Sequence, residues 1–337
     1  MTDLVLINPW RENMTINNEN YQVDSMESKR PLAEKLQAAK DQIGENDKIV
    51  KQCLEQLREW IRQNEDIENL FIDDNYLLRF LRTKKFSLFM TQQMILKYLN
   101  FRKKFFHYID SLDFEEEKAN ALINTGFIFA SPIRDNEGRR VIIYNVGKFD
   151  MDRFINVDMA RALAITYEAV IEDEETQILG VNHVANLEGI SIAYTSLFTI
   201  TEFARAITWG EQSFPMRHKD INLLNVPSAV KYVYEYALSR MSKKLTERFT
   251  LHDSITTITE RVDKRCLPLE FGGVMPMSEM IQLWKEELGR KRERILGLKN
   301  MNLLSDRGII SRKTINEHMT NSNLEGVTGS FRKLEVD

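Results

Sequence analysis

Apolar residues recur at helical spacing through the first third of the chain. Leu32, Leu36 and Ala39 follow Pro31, which suits a first helical turn. Ile49, Val50, Cys53, Leu54, Leu57, Trp60 and Ile61 make a longer amphipathic helix, with Asp47 as its expected N-cap. Asp73-Asp74-Asn75 then precedes Tyr76, Leu77, Phe80 and Leu81, a short helix, and Ser87 is placed to cap another running over 88–109. No strand signal interrupts this part.

The pattern then changes. The turn Asp135-Asn136-Glu137-Gly138 leads into Arg139-Arg140-Val141-Ile142-Ile143-Tyr144, a strand-like run. Helical periodicity over 158–174 is followed by a buried strand over 178–187, closed by Gly189. A helix over 196–207, a strand over 221–225 and a helix opened by Pro227 and ending near Phe249 come next. Strands alternating with helices predict an α/β fold with a largely parallel sheet. A last helix is expected from Met277 to about Leu298. Residues 1–30 and 301–337 are polar and read as loose tails.

Composition narrows the choice of function. The 337 residues carry a net charge of −4, which argues against bulk nucleic-acid binding. No apolar stretch approaches the ~20 residues of a membrane span. The N-terminus has neither a basic leader before its apolar residues nor a glycine for myristoylation, so the cytosol is the expected compartment. Cys53 and Cys266 make neither a disulfide framework nor a zinc site. The five histidines lack metal-ligand spacing. A nucleophile elbow, a dinucleotide fingerprint and a complete phosphate loop are all missing, so no enzymatic activity and no cofactor are expected.

Two segments stand out. Ala160, Leu163, Ala164, Tyr167 and Ile171 share one helix face, which either packs as core or leaves room for a guest. Val226, Val230, Val233, Ala237 and Met241 make a second apolar stripe. Around it, residues 215–248 hold seven cations against three acids, in a chain that is acidic overall. Such a patch suits an anionic membrane surface or a solvated helix end.

Five stretches in order resemble the CRAL-TRIO lipid-transfer family. They are Asp74-Asn75-Tyr76-Leu77-Leu78-Arg79-Phe80-Leu81-Arg82-Thr83-Lys84-Lys85-Phe86, Gly138-Arg139-Arg140-Val141, Asn186-Leu187-Glu188-Gly189, Phe214-Pro215 with Ile221 to Pro227, and Leu267-Pro268-Leu269-Glu270-Phe271-Gly272-Gly273. The resemblance runs over about 45–290 and is nearest the tocopherol- and retinaldehyde-binding branch. Asn186 and Phe271 stand where the family usually has Asp and Tyr.

The resemblance implies a helical N-terminal domain (31–110), a lipid-binding α/β domain (111–276) and a C-terminal helix (277–300). It implies a hydrophobic ligand walled by Ala160, Leu163, Ala164, Tyr167, Ile190, Ile192, Phe198, Trp209, Phe214 and Ile221, with Tyr167 and Ser196 as candidate orienting groups. The helix carrying Val226, Val230, Val233, Ala237 and Met241 would be a gate opening at membranes. Arg217, Lys219, Lys244 and Arg248 match the family's phosphoinositide-binding positions. The expected function is that of an intracellular carrier meeting membranes transiently. The alternative is a lipid-sensing adaptor acting through protein partners, whose identity the sequence does not give.

Overall fold

The computed structural model describes residues 31–310; the tails read at 1–30 and 311–337 lie outside them. The helical part comprises α1 (Leu32–Ile43), α2 (Asp47–Gln63), a two-residue strand β1 (Ile67–Glu68), α3 (Asp74–Thr83), α4 (Leu88–Lys104), α5 (Phe106–Ile109) and α6 (Glu117–Asn124). Asn46, not Asp47, caps α2: its side chain accepts from the Ile49 N–H at 3.0 Å. Asp73 caps α3 in the same way at Tyr76. Ser87 makes no capping bond, and the helix expected over 88–109 breaks at Phe105.

The α/β part runs β2 (Ile128–Ala130), β3 (Arg140–Asn145), α7 (Asn156–Ile171), α8 (Glu174–Leu179), β4 (Val181–Asn186), α9 (Ile200–Ser213), β5 (His218–Leu224), α10 (Lys231–Arg240), α11 (Lys243–Thr246), β6 (Phe249–His252), α12 (Ile255–Arg261) and α13 (Met277–Gly297). The strand order is β2-β3-β4-β5-β6. Only β2 is antiparallel, pairing with β3; the other three ladders are parallel. The strand expected from 178 starts at Val181, because residues 178 and 179 still belong to α8 and Gly180 turns the chain at φ 93°.

Two expectations fail at the later segments. The helix expected from Pro227 to Phe249 is broken: Met241 is extended, Ser242 caps the short α11, and Phe249 begins β6. Residues 301–310 are not loose at their start. Asn302–Leu303 (β7) pairs antiparallel with β1, and Met301 and Leu303 are buried.

One apolar core spans the helical part and the α/β part. Every residue of α3 from Tyr76 to Arg82 is buried, so its two arginines need partners inside the protein. Arg79 pairs with Glu168 of α7 at 3.2 Å and with Glu172. The Tyr98 hydroxyl donates to Glu168 at 2.6 Å. Arg82 forks onto Glu45 at 2.9 and 2.7 Å and reaches Gln177 at 2.8 Å and Glu174 at 2.6 Å. The arginines of the Leu-Leu-Arg-Phe-Leu-Arg stretch thus tie α3 to α7 and α8.

Candidate lipid site

A cavity of about 540 Å³ lies between α4, α7, α9 and one face of the sheet. Helix α7 divides its residues between two sides. Ala162, Ile165 and Ala169 are buried in the core, as is Ile171. Ala160, Leu163, Ala164 and Tyr167 line the cavity. Phe198, Phe214 and Ile221 also line it. Ile190 and Ile192 do not: both follow β4 in the loop that leads away from the sheet, and Ile192 is 52% exposed on a short 3-10 turn. The Trp209 side chain lies outside the described residues. Ser196 is exposed and donates to the Ala193 carbonyl, so it cannot orient a guest in this cavity.

The second apolar stripe packs mainly away from the cavity. Val230 and Ala237 are buried and Val226 and Val233 are half-buried, with α10 packed on α9. Of the five stripe residues only Met241 reaches the cavity, together with Leu245 and Phe249. Helix α9 supplies more of the wall than the sequence suggested, through Phe203, Ala206 and Ile207. Phe101, Phe105 and Tyr108 from the helical part were also missed; their periodicity marks them as apolar but cannot say against what.

Four of the polar residues in this lining form one hydrogen-bonded chain. Tyr167 on α7, Tyr144 on β3, His183 on β4 and His218 on β5 all line the cavity. The Tyr144 hydroxyl is 2.8 Å from the Tyr167 hydroxyl and 2.8 Å from His183 Nδ1. His183 Nε2 is 2.9 Å from His218 Nδ1. The sheet register explains the alignment. Val181 pairs with His218 but His183 pairs with Ile221, with a register shift in between. That extra residue puts His218 and Ile221, three apart in sequence, on the same face. Burial, reinforced by Arg248, pushes His218 down to about 4. Burial and the neighbouring His218 hold His183 well below its usual range. Burial also raises both tyrosines, so all four groups are neutral near pH 7.

Arg217, Lys219, Lys244 and Arg248 gather at the amino ends of β5 and β6. The Arg217 carbonyl accepts from the Val181 N–H at 2.9 Å, and the Arg248 carbonyl from the Ile221 N–H at 2.9 Å. Gly180 makes the approach possible: a Cβ there would sit 2.5 Å from the Arg217 carbonyl oxygen and 2.7 Å from Lys219 Cγ. None of the four forms an ion pair within 4 Å among the described residues, whereas the adjacent Asp220 is taken by Arg139 and Arg261. Burial and the repulsion of Arg248 lower Arg217 to about 10. Burial, Arg217, Arg139 and Arg248 lower Lys219 to about 8. Lys244 is lowered by burial, Arg248, Lys85 and Arg217. Burial is the first cause in each case, and the repulsion among these cations adds to it.

Residues 124–273 match the CRAL/TRIO domain family. The chain contains a CRAL/TRIO domain. That match falls inside the expected 111–276 segment and takes in β2 to β6 with the basic cluster and most of the cavity wall. Clavesin-2 from Rattus norvegicus and from Homo sapiens are each 27% identical to the chain over 248 residues, covering 73% of this chain and 76% of theirs. Clavesin-1 from Xenopus laevis is 27% identical over 248 residues, 73% of this chain and 75% of its own. The crystal structure of Sfh5 aligns with a TM-score of 0.47 and 13% identity, over 81% of this chain and 99% of that one. No helix of the described residues is long and apolar enough to cross a membrane.

Proposed function

We propose that the chain is a cytoplasmic carrier that holds one hydrophobic molecule in the cavity and exchanges it at membranes containing phosphoinositides. The observation that carries this reading is the cavity of about 540 Å³ within the CRAL/TRIO domain, walled by phenylalanine, alanine and leucine side chains. That volume is within the range of small-molecule sites. A guest gains about 25 cal/mol for each Å² of apolar surface taken out of water. In this reading the chain turns over no substrate and needs no metal or organic cofactor.

The basic cluster supports the membrane half of the proposal. Arg217 and Arg248 offer planar forks for phosphate oxygens, and Lys219 and Lys244 add point charges. Met241 and Leu245 connect the two halves, since both line the cavity and lie just before Arg248 in the chain. In this reading the segment 225–248 is the gate, and its break at Met241 is the place where it bends. Headgroup binding opens the gate only if it favours the open state over the closed one.

The test is transfer of a hydrophobic fluorophore between donor and acceptor liposomes. A carrier speeds transfer, and more so when the acceptors contain phosphoinositide. A protein that docks on such liposomes without moving the fluorophore is an adaptor, and the carrier reading fails.

A further inference from the structure

The chain Tyr167–Tyr144–His183–His218 has a surplus of one proton. Each neutral group brings a single donor hydrogen, so the four bring four. Their three contacts, at 2.8, 2.8 and 2.9 Å, use three. Among the described residues the Tyr144 hydroxyl has no third partner, so its hydrogen goes to Tyr167 or His183 and the spare one sits at an end. In one arrangement Tyr167 donates to Tyr144, Tyr144 to His183 Nδ1 and His183 Nε2–H to His218. The spare hydrogen is then on His218 Nε2, and Tyr167 offers only lone pairs. In the other, every bond runs the opposite way: His218 Nδ1–H donates to His183, His183 Nδ1–H to Tyr144, and Tyr144 to Tyr167. The spare hydrogen is then the Tyr167 hydroxyl proton.

Tyr167 is therefore a polar end that can donate or accept in an otherwise apolar cavity. The other polar side chains of the lining each have a partner of their own. Glu202 accepts from the Thr199 N–H at 2.9 Å and from the Thr199 hydroxyl at 2.8 Å. Glu211 accepts from the Ser242 N–H at 3.1 Å. The Tyr108 hydroxyl accepts from Asn156 at 3.2 Å. No lysine or arginine is among the described lining residues, and the two carboxylates would repel an anionic head. A carboxylate or phosphate drawn into this cavity would lose its water with no cation to receive it.

We propose that Tyr167, backed by Tyr144, His183 and His218, recognises the single uncharged hydroxyl or carbonyl oxygen of an otherwise apolar ligand. The inference rests on the carrier reading above and names its ligand class. Tyr167 makes the contact. Tyr144 and the two histidines are positioning residues that set which way its proton points.

The probes are four amphiphiles with chains of similar length: hexadecanol, a hexadecyl methyl ketone, hexadecane and hexadecanoate, offered near neutral pH. Retention is read by native mass spectrometry. Hexadecanol and the ketone should be held about tenfold more tightly than hexadecane and hexadecanoate. Tyr167→Phe should bring the alcohol-to-alkane ratio close to one. A measurement on the unaltered protein covers the case in which that variant does not fold. With the ketone bound, nitrogen-15 NMR should find both His183 and His218 protonated at Nδ1, because an acceptor-only ligand selects the second arrangement. Equal retention of all four probes overturns this inference but leaves the carrier reading standing. Tightest binding of hexadecanoate, or an Nε2–H tautomer of His183 with the ketone bound, also overturns it. Failure to retain any of the four overturns the carrier reading itself.

Discussion

His183 Nε2 and His218 Nδ1 lie 2.9 Å apart, so one ring must be unprotonated at that nitrogen for the other to donate. Burial keeps both rings neutral in the folded protein, His218 down to about 4, whereas an unfolded chain protonates histidine near 6.5. Between these values the unfolded state binds more protons, so stability falls as pH drops from about 6.5 towards 4. Urea midpoints across that range should fall less steeply for His218→Gln than for the unaltered chain. Glu202 and Glu211, which line the same cavity, are common to both curves. Parallel curves would mean that the pair is not held neutral.

The basic cluster should act on membranes without touching retention of the guest. Arg217→Ala with Lys219→Ala should weaken binding to phosphoinositide liposomes by about thirtyfold, taking about 1 kcal/mol per cation near an anionic surface. In the unaltered protein Lys219, lowered to about 8, should make binding to the same liposomes fall as pH rises from 7 to 9. Liposome co-sedimentation measures both effects. Undiminished binding by the double variant would remove these residues from the membrane contact.

Gly180→Ala should destabilise the protein by about 1–3 kcal/mol. The position sits at φ 93° and a Cβ would press on the Arg217 carbonyl. The same substitution should weaken headgroup binding, because Lys219 would be displaced. Thermal melting and liposome binding together check this.

Arg79→Ala removes the partner of two carboxylates, Glu168 and Glu172. It should cost about 3–5 kcal/mol, the range for breaking a buried pair. Arg58→Ala, at the half-exposed pair with Asp74, should cost less than about 1 kcal/mol. Denaturant midpoints of the two variants give the comparison.

Legibility in the sequence followed physical scale. The helix over 158–174 was readable because periodicity depends on near neighbours, and four residues of its apolar face line the cavity. Whether they faced core or guest was not readable, since both need the same residue types. Ile171 went to the core and Tyr167 to the cavity. The break at Met241 was hidden because the apolar stripe keeps helical spacing right up to that residue. Strands β1, β2, β6 and β7, of two to four residues each, are too short to show a period. The two histidines were dismissed for lack of metal spacing. They are 35 residues apart, and only the register shift in β5 brings them together. The five short motifs and their order carried the family resemblance, which the family match over 124–273 bears out.

Mass decides whether the cavity holds one hydrophobic molecule. Purified protein is weighed intact under native conditions, extracted with organic solvent and weighed again, alongside Ala164→Phe, which fills the cavity from α7. The unaltered chain should carry a single small adduct that extraction removes. Ala164→Phe should carry a much reduced adduct, and it should melt no lower than the emptied parent because an apolar ring replaces a void. An unaltered chain that carries no adduct and takes up no hydrophobic molecule on challenge would contradict the carrier reading, as would an adduct of equal occupancy on the filled variant.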